Sequence, residues 1–109
     1  MATLTVQQIV IGGLEPAAEE AAAALGDVFP NNGRTYLKVT DTGTTAPVVT
    51  ITSQVACNQG ETHTYTVTVQ SGEYRLIGPF PPNQFNNSSG QVEITYSSET
   101  DVTVTAFSL

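Results

Sequence analysis

The side chains able to do covalent or metal chemistry are few and stand singly. One thiol, Cys57, and one imidazole, His63, lie six residues apart across Asn58-Gln59-Gly60-Glu61. A nucleophilic centre needs a thiol or hydroxyl beside a base that a third group orients, and no recognisable motif surrounds either residue. A tetrahedral metal site would need carboxylates from distant parts of the chain. Acidic residues are scattered except at Glu19-Glu20 and have no EF-hand spacing, which leaves open only a calcium ion held at a loop such as that of Asp41 or Asp101. Gly12-Gly13 precedes Leu14-Glu15-Pro16 and lacks both the lysine and the spacing of a phosphate cradle. Asn86-Asn87-Ser88 and Asn87-Ser88-Ser89 fit the glycosylation pattern without a secretory context. The sequence therefore predicts no enzyme, no catalytic or metal residues and no cofactor.

Charge removes another class of function. Three cations, Arg34, Lys38 and Arg75, face ten carboxylates, for a formal charge of -7. Nucleic-acid affinity rests largely on phosphate neutralisation by Lys and Arg, so a polyanion would be repelled. No run approaches the roughly 20 apolar residues that span a bilayer. The start, MATLTVQQIVIGG, is interrupted by Thr and Gln and lacks the basic region of a secretory signal. The expectation is a soluble, unprocessed protein with neither nucleic-acid nor membrane partners. A single cysteine excludes an intramolecular disulfide, so packing must hold the fold.

The elements that would position any site are mostly strands. Residues 91–109 alternate apolar and polar side chains, with Val92, Ile94 and Tyr96 on one face and Val102, Val104 and Ala106 on one face after a polar turn. This period of two marks half-buried strands. The pattern recurs at 34–40, with Leu37 and Val39 facing one way, at 48–55, with Val49, Ile51 and Val55, and at 64–70, with Tyr65, Val67 and Val69. Another strand is expected at 74–77, before Gly78-Pro79-Phe80-Pro81-Pro82 leaves the ladder for want of backbone donors. Seven or eight short strands in 109 residues predict one all-β domain, an antiparallel sandwich of jelly-roll or immunoglobulin-like connectivity.

The N-terminal third reads differently. Residues 3–11 form a strand, or an arm that becomes one at a sheet edge. Pro16, the carboxylates Glu15, Glu19 and Glu20, the alanine run and Gly26 then give the signals of a short helix, with Leu25 as its one large apolar side chain. Phe29-Pro30-Asn31-Asn32-Gly33 reads as a turn. The division that follows is an arm over 1–32 and a sandwich over 33–109, so a chain lacking residues 2–25 is expected to fold. Candidate partner contacts are Leu4, Val6, Ile9 and Ile11 of the arm, with Phe80 between prolines and Phe85 in a polar loop. For both phenylalanines the favoured reading is a plug that closes the end of the core, with a partner contact as the alternative. The four tyrosines lie within strands, where packing is their expected role, and the chain has no tryptophan to make a sugar platform.

Three stretches carry a resemblance: Phe29-Pro30-Asn31-Asn32-Gly33-Arg34-Thr35-Tyr36-Leu37, Ile77-Gly78-Pro79-Phe80-Pro81, and Val92-Glu93-Ile94-Thr95-Tyr96-Ser97 with the closing VTVTAFSL. On them the chain resembles the small head decoration, or capsid cement, proteins of tailed bacteriophages. The resemblance implies a β-rich structural protein on the virion exterior, trimeric or otherwise multimeric. Its partners would be the phage major capsid protein and copies of itself, with no catalytic residue or cofactor. Glu19 and Glu20 depart from the more neutral segment expected there. The alternative is an adhesion or carbohydrate-binding β-sandwich.

Overall fold

A computed structural model describes residues 2–16, 19–54 and 64–109. Cys57, His63 and Val55 lie outside the described residues. The described residues form ten strands and one short helix: β1 (Ala2–Thr3), β2 (Val6–Gln8), β3 (Glu20–Ala21), β4 (Asp27–Pro30), β5 (Thr35–Asp41), β6 (Val48–Ile51), β7 (Tyr65–Thr68), β8 (Tyr74–Ile77), α1 (Pro82–Phe85), β9 (Gln91–Tyr96) and β10 (Val102–Ser108). One sheet has the order β1-β4-β9-β6-β7; the other has the order β2-β10-β5-β8, with β3 also on β10. The all-β sandwich expected from period two is the fold observed.

Connectivity follows from the antiparallel pairs. β6 pairs with β7, β5 with β8, β4 with β9 and β3 with β10, so the chain is one long hairpin whose arms pair rung by rung. That hairpin is folded over so that β9 meets β6 and β10 meets β5. This is the eight-stranded order of a jelly roll. Every strand of the roll takes its partner from far along the chain, which local periodicity cannot specify.

In-facing residues make the core. Leu37 and Val39 of β5, Val49 and Ile51 of β6, Val92 and Ile94 of β9, and Val102, Val104 and Ala106 of β10 are all buried, each on the face its alternation assigned. Full burial of such a side chain is worth about 1.5–3 kcal/mol. Strand β7 is a sheet edge, and although Val69 just beyond it is buried, Tyr65 is 60% exposed. Being on the inward face does not bury a side chain at the end of an edge strand.

The N-terminal third is part of the sandwich. β1 runs parallel to β4, and the chain then crosses to the other sheet, where β2 runs parallel to the last part of β10. β3 pairs with the first part of the same side of β10. No helix occurs among the described residues of 15–25: Glu20 and Ala21 are strand, the Ala22 N–H donates to the Val102 carbonyl, and residues 23–26 turn through a Gly26 N–H bond to the Ala23 carbonyl. The open flank of β10 offers backbone partners that an alanine helix with only Leu25 to bury could not match. Leu25 is itself exposed. Gly26 ends this turn at φ 95°, and the Ile94 carbonyl occupies the space a Cβ would need.

The expected turn at 29–33 begins later than its residue types suggest. Asp27–Pro30 is a strand between β1 and β9, and Phe29 is wholly buried. Pro30 is tolerated because it is the strand's last residue, where a missing donor costs least. A division at 32/33 would separate β1 to β4, with Leu4, Ala22 and Phe29, from the core they share with the rest.

Candidate functional site

Strand register assigns every loop to one of two ends of the sandwich, and the ends differ in chemistry. The turn at 9–13, the turn at 31–34, residues 78–90 and Leu109 lie at one end, because Gln8, Thr35 and Ser108 align across β2, β5 and β10. The connections at 22–26, 42–47, 70–73 and 97–101 lie at the other, where Asp41 aligns with Val102 and Asp27 with Ile94. That second end carries exposed Glu73, Glu99 and Asp101, the wholly buried Asp41, and the exposed Leu25 of the 22–26 turn. The first has exposed apolar side chains and Arg34.

Two asparagines build the apolar end. The Asn31 amide donates to the Phe80 carbonyl (2.9 Å) and to Asn86 Oδ1 (2.8 Å), and the Asn86 amide donates back to the Asn31 carbonyl (3.0 Å). Asn32 Oδ1 accepts the Arg34 N–H at 2.9 Å. These bonds tie the 31–34 turn to the 78–90 segment. Gly78, preceding a cis peptide to Pro79, has φ 131°, and a Cβ there would meet Thr35 and Tyr36 backbone atoms at 3.0 Å. Only glycine lets this loop lie on β5 without strain.

Beneath the loop runs a chain of aromatic rings. Phe29 contacts Phe80 at 5.5 Å between centroids, Phe80 contacts Phe85 at 6.0 Å, and Phe85 contacts Tyr65 at 5.8 Å. Phe80 (4% exposed) and Phe85 (3%) are therefore plugs of the core, and neither can meet a partner while the fold is closed. Leu4 is likewise buried, and Val6 packs against the core. Of the six candidate contacts named from sequence, Ile9 and Ile11 are the exposed ones. They flank exposed Val10 on a turn closed by the Gly13 N–H on the Val10 carbonyl (2.9 Å) and anchored by the Ile9 N–H on the Ser108 carbonyl (2.8 Å).

Sequence reasoning missed the apolar surface on β8. Tyr74 (56% exposed) and Leu76 point outward beside Tyr36, which stacks on Phe107 at 5.5 Å. Lys38 lies over the Tyr74 ring at 5.0 Å and pairs with Glu19 at 3.4 Å. A groove of about 350 Å³ lies between Arg34, Tyr36, Leu76, Pro79 and Leu109. A second, of about 360 Å³, opens between the sheets beside Tyr65, Pro79 and Phe85. The signal for this surface was the apolar pair Leu76-Ile77 on a strand of period two, which requires one of them to face solvent.

At the acidic end, hydrogen bonds fix the 42–47 connection against Asp41 and Asp101. Gly43 N–H donates to Asp41 Oδ1 (2.9 Å), and the Thr42 N–H and hydroxyl both donate to the Asp101 carbonyl. Among the described residues no group of three or more His, Cys, Asp or Glu could hold a metal ion. None of their helices is long and apolar enough to cross a membrane.

Nearby, Tyr96 donates its hydroxyl to Asp27 Oδ2 at 2.6 Å, and Asp27 is wholly buried with Oδ1 lacking a protein partner. Burial, and then the Asp27 carboxylate, push the Tyr96 hydroxyl pKa far up. Tyr96→Phe is expected to cost about 1.5–3 kcal/mol, since the Asp27 carboxylate loses its strongest partner. Raised above its unfolded value near 10, this group stabilises the fold below about pH 10 and loses that contribution as pH rises further. Urea titrations should therefore show the wild-type advantage over Tyr96→Phe narrowing above about pH 10; a gap constant with pH would refute the assignment.

The fold and these surfaces define a small jelly-roll sandwich with one apolar and one acidic end. Comparison with protein-family models, with curated proteins and with solved structures returned no match.

Proposed function

We propose that the protein is a structural component of a phage virion that binds the outer surface of the capsid and stabilises it as a decoration, or cement, protein. The observation that carries this reading is the polarity of the sandwich along its strands. An apolar end with Ile9, Val10, Ile11, Tyr65 and Leu109 suits docking on a protein surface, while an end bearing exposed Glu73, Glu99 and Asp101 suits solvent. The excess of carboxylates favours the outside of the shell, away from packaged DNA. Many copies on one lattice would convert weak single contacts into tight attachment. The sequence resemblance points the same way, and the major capsid protein is the proposed partner.

Mixing the full chain with expanded heads that lack it, sedimenting, and counting bound copies tests the proposal. Binding should saturate at a fixed number per head, and Tyr65→Asp, at an exposed ring, should weaken it about fivefold or more. Absence of saturable binding would sink it. The alternative of a carbohydrate-binding module draws on exposed Tyr65 and Tyr74, since jelly rolls also serve as lectins. Glycan-array binding that is lost on substituting either tyrosine would favour it.

A further inference from the structure

The exposed 9–13 turn and the Leu76 groove occupy opposite lateral margins of one sheet, at the same end of the molecule. In the order β2-β10-β5-β8 they are three strand spacings apart, about 14 Å. Within one chain the turn stays off the groove: the Ile9 bond to Ser108 and the Val10–Gly13 bond hold it on the β10 side, and none of residues 9–13 lines the groove. Ile11 projects fully into solvent, and Leu76 and Leu109 line an open groove.

The charges beside these features are opposite. Residues 9–20 carry Glu15, Glu19 and Glu20 and no cation, whereas all three cations of the chain lie on or just before β5 and β8. Glu19 already pairs with Lys38, and Arg75 with Glu73. Glu15 beside the turn and Arg34 in the groove take part in no ion pair among the described residues.

We infer that the 9–13 turn of one copy seats Ile11 in the Leu76 groove of the next copy, with Glu15 facing Arg34. Knob and groove are different surfaces, so the contact is heterologous and repeats from copy to copy until a ring closes. Because both lie at one end of the strands, rotation about an axis along the strands turns every apolar end to the same side. Ile11 and Leu109 are then taken up between copies, and Tyr65, Pro81 and Pro82 are the part of the apolar end left to face a shell. The inference deepens the proposed function and rests on its reading of many copies gathered on one shell.

Sedimentation velocity on the full chain tests it, with circular dichroism to confirm folding. Wild type should form a closed oligomer, and Ile11→Asp and Leu76→Asp should each weaken association by about tenfold or more. Mixing the two variants should give a dimer and nothing larger, since the pair keeps one intact knob and one intact groove. No dimer from folded variants, or self-association unchanged in either, overturns the inference. Should Leu76→Asp fold poorly, Arg34→Glu provides a second arm: it should weaken association, and adding Glu15→Arg should restore it. Wild type that stays monomeric yet saturates heads overturns the ring and leaves the shell reading standing. A ring that never binds heads does the reverse.

Discussion

A chain lacking residues 2–25 is expected to lose cooperative folding. These residues cover the edge of β4 with β1 and most of the open flank of β10 with β2 and β3. Their removal takes away the Leu4 N–H bond to the Val28 carbonyl, the Ile9 bond to Ser108 and the Ala22 bond to Val102. It also removes Leu4, 2% exposed, from the core. Losing a buried leucine alone costs about 2–5 kcal/mol, against a total stability of about 5–15 kcal/mol for a domain. The seven-residue β10 would become an unprotected edge and a template for aggregation. Thermal circular dichroism of the truncated chain should show no sigmoidal transition, or aggregation on heating. A melting temperature within a few degrees of wild type would mean that the segment is a separable arm after all.

Phe29→Ala is expected to lower stability by about 3–5 kcal/mol. Phe29 is wholly buried, belongs to β4, and begins the ring series that passes through Phe80 and Phe85 to Tyr65. The vacated volume lies between a strand and a loop held by the Asn31–Asn86 bonds, so the site cannot collapse fully. Tyr65→Ala, at the exposed end of the same series, should cost far less. Urea denaturation of the two variants gives the comparison directly, and equal losses would show that the ring series does not close the core.

Both expectations reverse an inference drawn from local pattern, and the reason is the same in each. Periodicity reports which side of a strand is apolar, and it read β5, β6, β9 and β10 correctly, down to Leu37, Val39, Val92, Ile94, Val102 and Val104 as inward residues. It has no purchase on a segment whose backbone is organised by a partner elsewhere. Glu20 and Ala21 are strand because β10 has an unfilled flank, although proline, carboxylates and alanines around them are helix signals. Asp27–Pro30 is strand because β1 and β9 lie on either side of it, although Pro30-Asn31-Asn32-Gly33 marks a turn. Phe80 and Phe85 do plug the core, as favoured from sequence, but that the Asn31 amide is what holds their segment over it could be seen only in the fold.

The same division holds for the candidate surfaces. That Ile9, Val10 and Ile11 form an apolar run ending at two glycines is plain in the sequence, as are the scarcity of reactive side chains and the excess of negative charge. These properties belong to residue types and near neighbours, and the chain alone determines them. Which apolar residues are left in solvent, that the loops separate into an apolar and an acidic end, and that the turn at 9–13 and the groove at Leu76 fall on opposite margins of one sheet were decided by tertiary structure. Each depends on register between strands far apart in the chain, set by the fit of the whole core when the long hairpin folds over on itself.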